Sequence, residues 1–184
     1  MARARKRSAP RSVPPTVSRA ALLVDGSDAE FRKLIHDLIA YGHRLDGCRD
    51  AFAALAGVSG AQYEILMLVS RADGLSIGEI AARMHRSGAF ITVEASRLVA
   101  RGYLEKRADP RDGRRVLLRT NSKSLYLLGR LAPVQRRVND ELFACLDARR
   151  FRQLRALALE LVACGDRAVA LLQFLAHGAH VRAA

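Results

Sequence analysis

Hydrophobic residues recur at helical spacing over residues 27–57. The apolar positions alternate in steps of four and three residues, the heptad pattern of a helix that packs along another helix. They are Leu34, Leu38, Tyr41, Leu45, Cys48, Phe52 and Leu55. Ser27 and Glu30 have the spacing of a capping box, and Gly57 is expected to end the helix. The pattern therefore predicts one long helix.

The pattern between residues 59 and 121 breaks into shorter elements. Three helical stretches are predicted, and each begins at a serine: Ser59, Ser76 and Ser87. They are expected to end at Asp73-Gly74, Met84 and Gly102. Two strands at 103–107 and 115–119 then flank a turn over 109–113, where proline, aspartate and glycine favour chain reversal.

Residues 122–177 return to helical spacing. Three leucines lead to Pro133, which is expected to kink or split the helix before it continues through Cys145. A second seam with steps of three and four follows: Phe151, Leu154, Ala158, Leu161, Gly165, Ala168, Leu172 and Leu175. The whole pattern predicts a mainly α fold with one small β-hairpin.

Positive charge is concentrated in two segments of the chain. The formal net charge is +13, with 31 Lys and Arg against 18 Asp and Glu. Residues 1–24 carry six basic residues and no acidic one, and residues 83–123 carry eleven basic and four acidic ones. The first segment is rich in Ser and Pro and lacks apolar periodicity, which predicts a disordered basic arm. The second points to a polyanionic partner.

Composition argues against several classes of protein. No apolar run approaches the roughly 18 residues of a membrane span, so no membrane partner is expected. Three cysteines without a C-x-x-C pair predict neither a disulfide framework nor a zinc site, so a reduced, cytoplasmic location is expected. No nucleophile elbow, P-loop or H-E-x-x-H motif is present, so the chain is not expected to be an enzyme or to hold a metal or cofactor.

The order helix, short helix, helix and basic hairpin is that of a winged helix-turn-helix. In such a domain the second helix of the turn fits the major groove of DNA, which is about 12 Å wide, and the hairpin reaches towards the minor groove. The positive segment 83–123 covers both elements. Charge and element order therefore independently predict binding to double-stranded DNA.

At these residues the chain resembles the MarR family (multiple antibiotic resistance regulators), from about Phe31 to Leu172. The most specific stretches are L-S-I-G-E-I-A at 75–81, R-L-V-A-R-G-Y-L-E at 97–105 and D-P-R-D-G-R-R at 109–115. Gly113 stands where the family commonly has Arg or Lys, and Thr120-Asn121 replaces a usual Leu-Thr. The second departure leaves the start of the next helix open.

The resemblance implies an obligate homodimer that binds a near-palindromic operator. Residues 59–121 would form the DNA-binding domain. Residues 27–57 would be the first dimerisation helix and residues 122–177 the C-terminal dimerisation helices, together a helical dimerisation domain. The two apolar seams are then expected to pair between subunits in part and to pack within one chain in part.

Candidate DNA contacts on the recognition helix lie at its start and on its outer face. Hydroxyl groups reach phosphates or base edges, and Val93 suits a thymine methyl group. Arg86 and Arg101 are expected to neutralise phosphates, whereas Arg97 is expected to read a base or to make a phosphate or structural contact. The set is Arg86, Ser87, Gly88, Thr92, Val93, Ser96, Arg97 and Arg101.

The wing supplies the remaining candidates. Arg114 is the first choice for insertion into the minor groove, and Asp112 is expected to orient its guanidinium. Arg111 and Arg115 would flank the DNA backbone. The alternative is a solvated, charged hairpin that contacts nothing.

A candidate effector site lies on the first helix, because MarR-like proteins usually respond to small, often aromatic or anionic, ligands. His36 and His43 share one stripe with small residues beside them, and Tyr41 and Arg44 adjoin it. A guanidinium suits a carboxylate, but about 10 Å of helix separates the two histidines, too far for a shared metal. The alternative is that these residues bind no ligand.

The expected function is a homodimeric, ligand-responsive DNA-binding regulator that acts as a repressor. One alternative is a nonspecific architectural nucleic-acid-binding protein, which would use the same basic surface. The other is a redox-sensing regulator that uses a cysteine. Peroxide-sensing members of the family carry that cysteine where this chain has Tyr41-Gly42, and Cys48 lies on the apolar seam instead.

Overall fold

The computed structural model describes residues 13–72 and 74–183, which form six α-helices and one two-stranded sheet. The helices are α1 (Ala29–Leu55), α2 (Gly60–Val69), α3 (Ile77–Met84), α4 (Gly88–Ala100), α5 (Ser122–Leu142) and α6 (Ala148–Ala183). The strands β1 (Leu104–Ala108) and β2 (Val116–Thr120) lie between α4 and α5. The predicted mainly α fold with a β-hairpin wing is confirmed.

The chain divides into two compact units, Met1–Leu131 and Ala132–Ala184, and α5 runs across the division. Within the described ranges, no single helix has the length and apolar content needed to cross a membrane. Helices α1 and α2 have that length and apolar content only when they are taken together, and they are bent by 86° at their junction.

The segment before α1 departs from the disordered arm predicted for residues 1–24. Ala20–Leu22 form a 3-10 turn, and the Val24 and Ser27 backbones bond each other in both directions at 2.9 and 2.8 Å. Asp25 and Gly26 between them have φ values of 50° and 75°, as a tight two-residue hairpin turn requires. Residues 1–12 of the expected arm lie outside the described part of the chain.

The predicted capping box of Ser27 and Glu30 is wrong. The N-cap residue of α1 is Asp28. The Ser27 N–H already bonds Val24, so it is not available to a Glu30 side chain. The buried Asp28 carboxylate accepts hydrogen bonds from the Thr16 N–H and hydroxyl at 2.7 and 2.8 Å. These two bonds, with the charge of Arg32 beside them, lower the pKa of Asp28.

The serine-capped helices begin where predicted, because each cap satisfies N–H groups that the first turn leaves unpaired. The first of them ends at Val69, before the predicted Asp73-Gly74. Ser76 and Glu79 form a capping box at α3, and Ser59 forms one with Gln62 at α2. The Ser87 hydroxyl accepts from the Phe90 N–H at the start of α4.

The core of the first unit lies between α2, α3, α4 and the hairpin. Its most deeply buried side chains include Ile65, Leu66, Ile80, Ile91 and Leu98, which are fully removed from solvent. Burial of an Ile or Leu side chain contributes about 1.5–3 kcal/mol. Because Ile91 and Leu98 hold the inner side of α4, its opposite side faces solvent.

The wing strands pair antiparallel, from Leu104 opposite Thr120 to Ala108 opposite Val116. Both strands begin one residue later than predicted. Leu75, just before α3, bonds Leu118 in both directions at 3.1 and 2.8 Å. The wing is thereby fixed to the helix-turn-helix, a contact that the sequence did not predict.

The C-terminal helices differ from the prediction in their boundaries. Asn121 and Ser124 bond each other reciprocally at the start of α5, which settles where this helix begins. Pro133 was predicted to kink or split this helix, and the helix runs through it without a split. It ends at Leu142, so Cys145 lies in a turn. The Asp147 carboxylate accepts from the Arg150 N–H at the start of the next helix.

The second unit is dominated by α6, which is 36 residues long. All of its residues from 148 to 177 are exposed, including Phe151, Leu161 and Leu172 of the predicted seam. The apolar residues of this helix therefore form a stripe that is exposed along its length.

Candidate nucleic-acid interface

The outer face of α4 carries the candidates for contact with the major groove. Val93 is half-exposed, and Ser87, Gly88 and Ser96 are also exposed. The Thr92 hydroxyl donates to the Gly88 carbonyl at 2.8 Å, which leaves its oxygen lone pairs as acceptors. Small and hydroxyl-bearing residues thus line a surface that a DNA backbone or base edge can approach closely.

The turn between α3 and α4 places Arg86 beside this face. His85 takes a left-handed conformation with φ at 50°, which ends α3 and starts the turn. The Arg86 guanidinium lies over the Phe90 ring, 5.9 Å from its centre. Arg86 remains exposed at the start of the recognition helix, where a cation favours contact with a phosphate.

Arg97 is paired with the protein's own carboxylate. Its Nη1 donates to Glu94 Oε1, and Glu94 is buried while the Arg97 side chain is 62% exposed. The other oxygen of Glu94 accepts from Gln62 Nε2 at 2.8 Å. The Arg97 guanidinium is therefore positioned at the surface before any ligand binds.

Arg101, predicted to neutralise a phosphate, is tied to neighbouring elements. Its Nη2 donates to the Gly57 carbonyl at 2.9 Å, and its guanidinium lies 5.1 Å from the centre of the Tyr103 ring. Lys123 lies 4.6 Å from the centre of the same ring and donates to the Arg101 carbonyl at 2.7 Å. These contacts connect the end of α4 to the end of α1 and the start of α5.

The wing tip is organised by two aspartates through the backbone. Asp109 accepts from the Arg111 N–H at 2.9 Å, and Asp112 accepts from the Arg114 N–H at 3.1 Å. The Asp112 carboxylate is thus bonded to the backbone of Arg114, whereas the sequence predicted that it orients the guanidinium. Both arginines are exposed, as insertion into a groove requires.

Arg115, predicted to flank the DNA backbone, contacts α3 in the structure. Its Nη2 lies 3.3 Å from Glu79 Oε2 and 3.4 Å from the Ser76 hydroxyl. Hydrogen bonds from the Ser76 hydroxyl and N–H, followed by the charge of Arg115, hold the pKa of Glu79 below its ordinary value. This pair joins the wing to the helix-turn-helix.

Two cavities of the DNA-binding domain are lined by residues other than the candidate effector residues of α1. His36 and His43 are exposed, Tyr41 is half-buried, and Arg44 donates to the Ala40 carbonyl at 2.6 Å. A cavity of about 170 Å³ lies instead between α4 and the wing, and one of about 340 Å³ lies at the base of the wing. The described residues contain no cluster of three or more His, Cys, Asp or Glu suited to a metal ion.

Glu94, Gln62 and Leu75 were not among the predicted functional residues. Glu94 could have been found from the sequence, because an acidic residue between Ile91 and Leu98 occupies an inward-facing position of the helix. Gln62 could also have been found, since it completes an S-x-x-Q capping box. Nothing in the spacing of Leu75 indicated its pairing with the wing.

A helix-turn-helix followed by a basic hairpin that pairs back onto it defines a winged helix-turn-helix protein. A model of the MarR family matches residues 56–115, which contain the complete helix-turn-helix and the wing loop. Over these residues, which carry the DNA-binding elements of the fold, the chain is similar to the MarR family. No curated protein matches the chain.

Solved structures of transcription regulators share this fold. BldR from Sulfolobus solfataricus is 20% identical with a TM-score of 0.60, over 73% of this chain and 96% of that one. BpsR of Bordetella bronchiseptica, whose DNA binding is regulated by 6-hydroxynicotinic acid, is 19% identical with a TM-score of 0.56, over 69% and 91%. PcaV from Streptomyces coelicolor, in complex with its natural ligand, is 27% identical with a TM-score of 0.52, over 66% and 89%.

Proposed function

We propose that the protein is a homodimeric repressor that binds a near-palindromic operator in double-stranded DNA. Recognition helix α4 enters the major groove, and Arg114 of the wing enters the adjacent minor groove. The two half-sites lie about one turn of DNA apart, roughly 34–36 Å, because a two-fold dimer presents two symmetry-related recognition helices.

The observation that carries this proposal is the shared exposed surface of α4 and the wing. Arg86 and Arg97 lie beside small and hydroxyl-bearing residues on the helix, and Arg111 and Arg114 lie at the wing tip. Small residues allow close approach to the groove, and arginines contact phosphates and guanine edges. Dimerisation is supported by the exposed apolar stripes of α1 and α6, since contiguous apolar surface marks an interaction site.

A small aromatic or anionic effector is proposed to release the repressor from DNA. The support is that DNA binding by the structurally similar BpsR is regulated by 6-hydroxynicotinic acid, and that PcaV was solved with its natural ligand. The residues His36, Tyr41, His43 and Arg44 remain the proposed contacts. A shift of the melting temperature by an aromatic carboxylate that Arg44→Ala abolishes would support this site.

Sequence selection by the purified protein tests the main proposal. Random duplex DNA is passed over the protein through several rounds and sequenced, and the molar mass of the complex is measured by light scattering. A two-fold symmetric consensus bound by two chains is expected. The nonspecific alternative predicts no consensus, equal affinity for all duplexes and a steep loss of affinity with salt.

A further inference from the structure

We propose that Glu94 is a positioning residue that holds Arg97 in one orientation on the DNA-facing side of α4. The inference rests on the proposed function, because it assigns a role within the same surface. Glu94 lies beneath that surface, with 7% of the residue exposed, and is not expected to touch DNA.

The burial of Glu94 requires an explanation. The residue lies on the inner side of α4 with Ile91, Ala95 and Leu98, all of which are buried. A carboxylate at such a position destabilises the fold unless hydrogen bonds and an opposite charge compensate for lost water. An apolar side chain would avoid that cost, so the carboxylate is explained best by the groups it binds.

The two oxygens of Glu94 bind different parts of the molecule. Oε2 accepts from Gln62 Nε2 at 2.8 Å and lies 3.5 Å from the Ser59 hydroxyl, so it is anchored to the start of α2. Oε1 accepts from Arg97 Nη1 one turn further along α4. The carboxylate therefore connects a fixed point in the domain to a side chain at the surface.

The anchor itself has a defined orientation. Gln62 Oε1 accepts from the Ser59 N–H at 3.4 Å in the α2 capping box, which turns the amide nitrogen towards Glu94. The amide cannot rotate without losing both bonds. A continuous set of hydrogen bonds thus runs from the first turn of α2 through Glu94 to Arg97.

This arrangement favours specificity over raw affinity for DNA. An arginine already held in one orientation loses less conformational entropy when it binds. The negative charge of Glu94, however, opposes the attraction of the surface for phosphates. Removal of that charge is therefore expected to weaken binding to the preferred sequence while leaving nonspecific binding equal or stronger.

The test uses the full-length protein, a duplex that the wild type selects from random DNA, and a scrambled duplex of equal composition. Affinities for both are measured at one salt concentration for the wild type, Glu94→Gln, Arg97→Gln and the double variant. Glu30→Gln, on the exposed first turn of α1, is the matched control for loss of one negative charge. Thermal melting establishes that each variant is folded.

Glu94→Gln is expected to bind the selected duplex about tenfold more weakly, within the range for loss of one arginine contact. Its affinity for the scrambled duplex should be equal or higher, and Glu30→Gln should lose affinity for neither. The double variant should bind the selected duplex no more weakly than Arg97→Gln alone, because Glu94 acts through Arg97.

If Glu94→Gln loses affinity equally for both duplexes, Glu94 only stabilises the core and the inference is overturned. An unchanged affinity for the selected duplex would overturn it as well. If Glu94→Gln does not fold, Gln62→Met removes the anchor without changing charge and must weaken binding to the selected duplex alone. A wild type that selects no sequence overturns the proposed function. A wild type that selects one, with Glu94→Gln behaving as Glu30→Gln, overturns this inference only.

Discussion

The arginines of the recognition helix and those of the wing tip are held in opposite ways. Arg97 and Arg101 have their guanidinium groups bonded to Glu94 and to the Gly57 carbonyl. Arg111 and Arg114 have their backbone N–H groups bonded to aspartates, and their residues are exposed. The backbone of the wing loop is thus fixed, while the exposed guanidinium groups of Arg111 and Arg114 remain available to bind DNA.

This difference shows that the number of basic residues in a segment overstates how many of them are available to DNA. Segment 83–123 contains Arg97 paired with Glu94, Arg107 paired with Glu105 at 2.9 Å, and Arg115 paired with Glu79 of α3. An arginine that is paired with a carboxylate of the domain is less available to bind a phosphate. The wing tip is therefore expected to contribute more binding free energy per arginine than the end of α4.

The largest expected effect is that of Arg114→Ala on operator binding. Loss of a minor-groove arginine should weaken specific binding by roughly 1–3 kcal/mol. The free energy of unfolding should change by less than about 0.5 kcal/mol, because the residue is exposed. A competition titration at fixed salt, paired with chemical denaturation, measures both quantities.

Arg71→Ala is the control for Arg114→Ala, since it removes the same charge from the exposed turn after α2. It should weaken binding to any duplex slightly and equally. Equal effects of the two variants on the selected duplex would contradict the insertion of Arg114 into the minor groove.

Arg101→Ala is expected to show the opposite pattern, with an effect on stability and little on DNA binding. The lost hydrogen bond to Gly57 and the lost stacking on Tyr103 should lower the free energy of unfolding by about 1–2 kcal/mol. The dependence of DNA affinity on salt should stay unchanged. Chemical denaturation and binding at several salt concentrations check the two statements.

Arg101→Lys sharpens this comparison because it keeps the charge and loses the planar donor group. It should be destabilised nearly as much as Arg101→Ala. If Arg101 neutralises a phosphate instead, the alanine variant will lose about one unit of the salt slope and the lysine variant will keep it.

The helices and the core of the DNA-binding domain were predictable because their signals are local. Ser76 caps a helix three residues from Glu79, and Ile91 and Leu98 lie two turns apart on one face. The Ser27 capping box failed for an equally local reason, since the turn at Asp25-Gly26 had already used the N–H that it needs.

The partners of the site arginines were not predictable, because the folded chain brings them together from distant positions. Arg101 meets Gly57 across 44 residues, and Arg115 meets Ser76 across 39. Sequence shows the charge of each arginine but not which of its neighbours is a carboxylate in space. The basic surface could therefore be located from sequence, whereas the division into held and available arginines could not.

The smallest expected effect concerns the pair of Arg115 and Glu79, and it depends on pH. The pKa of Glu79 in the folded protein lies below its ordinary value of 4.5, chiefly because Ser76 donates two hydrogen bonds to it. The carboxylate therefore stabilises the fold above pH 4.5, and this stabilisation is lost as pH falls through the folded-state pKa. The pair is half-exposed, so its contribution at neutral pH is at most about 1 kcal/mol.

Glu79→Gln should accordingly be slightly less stable than the wild type at pH 7, and the difference should shrink at acidic pH. Urea denaturation of both proteins between pH 7 and pH 3 measures it. Asp28 also has a lowered pKa, but it is present in both proteins, so its contribution cancels in the difference. A difference that stays constant over this range would show that the Glu79 charge does not stabilise the wing, and that Arg115 is as available to DNA as the arginines of the wing tip.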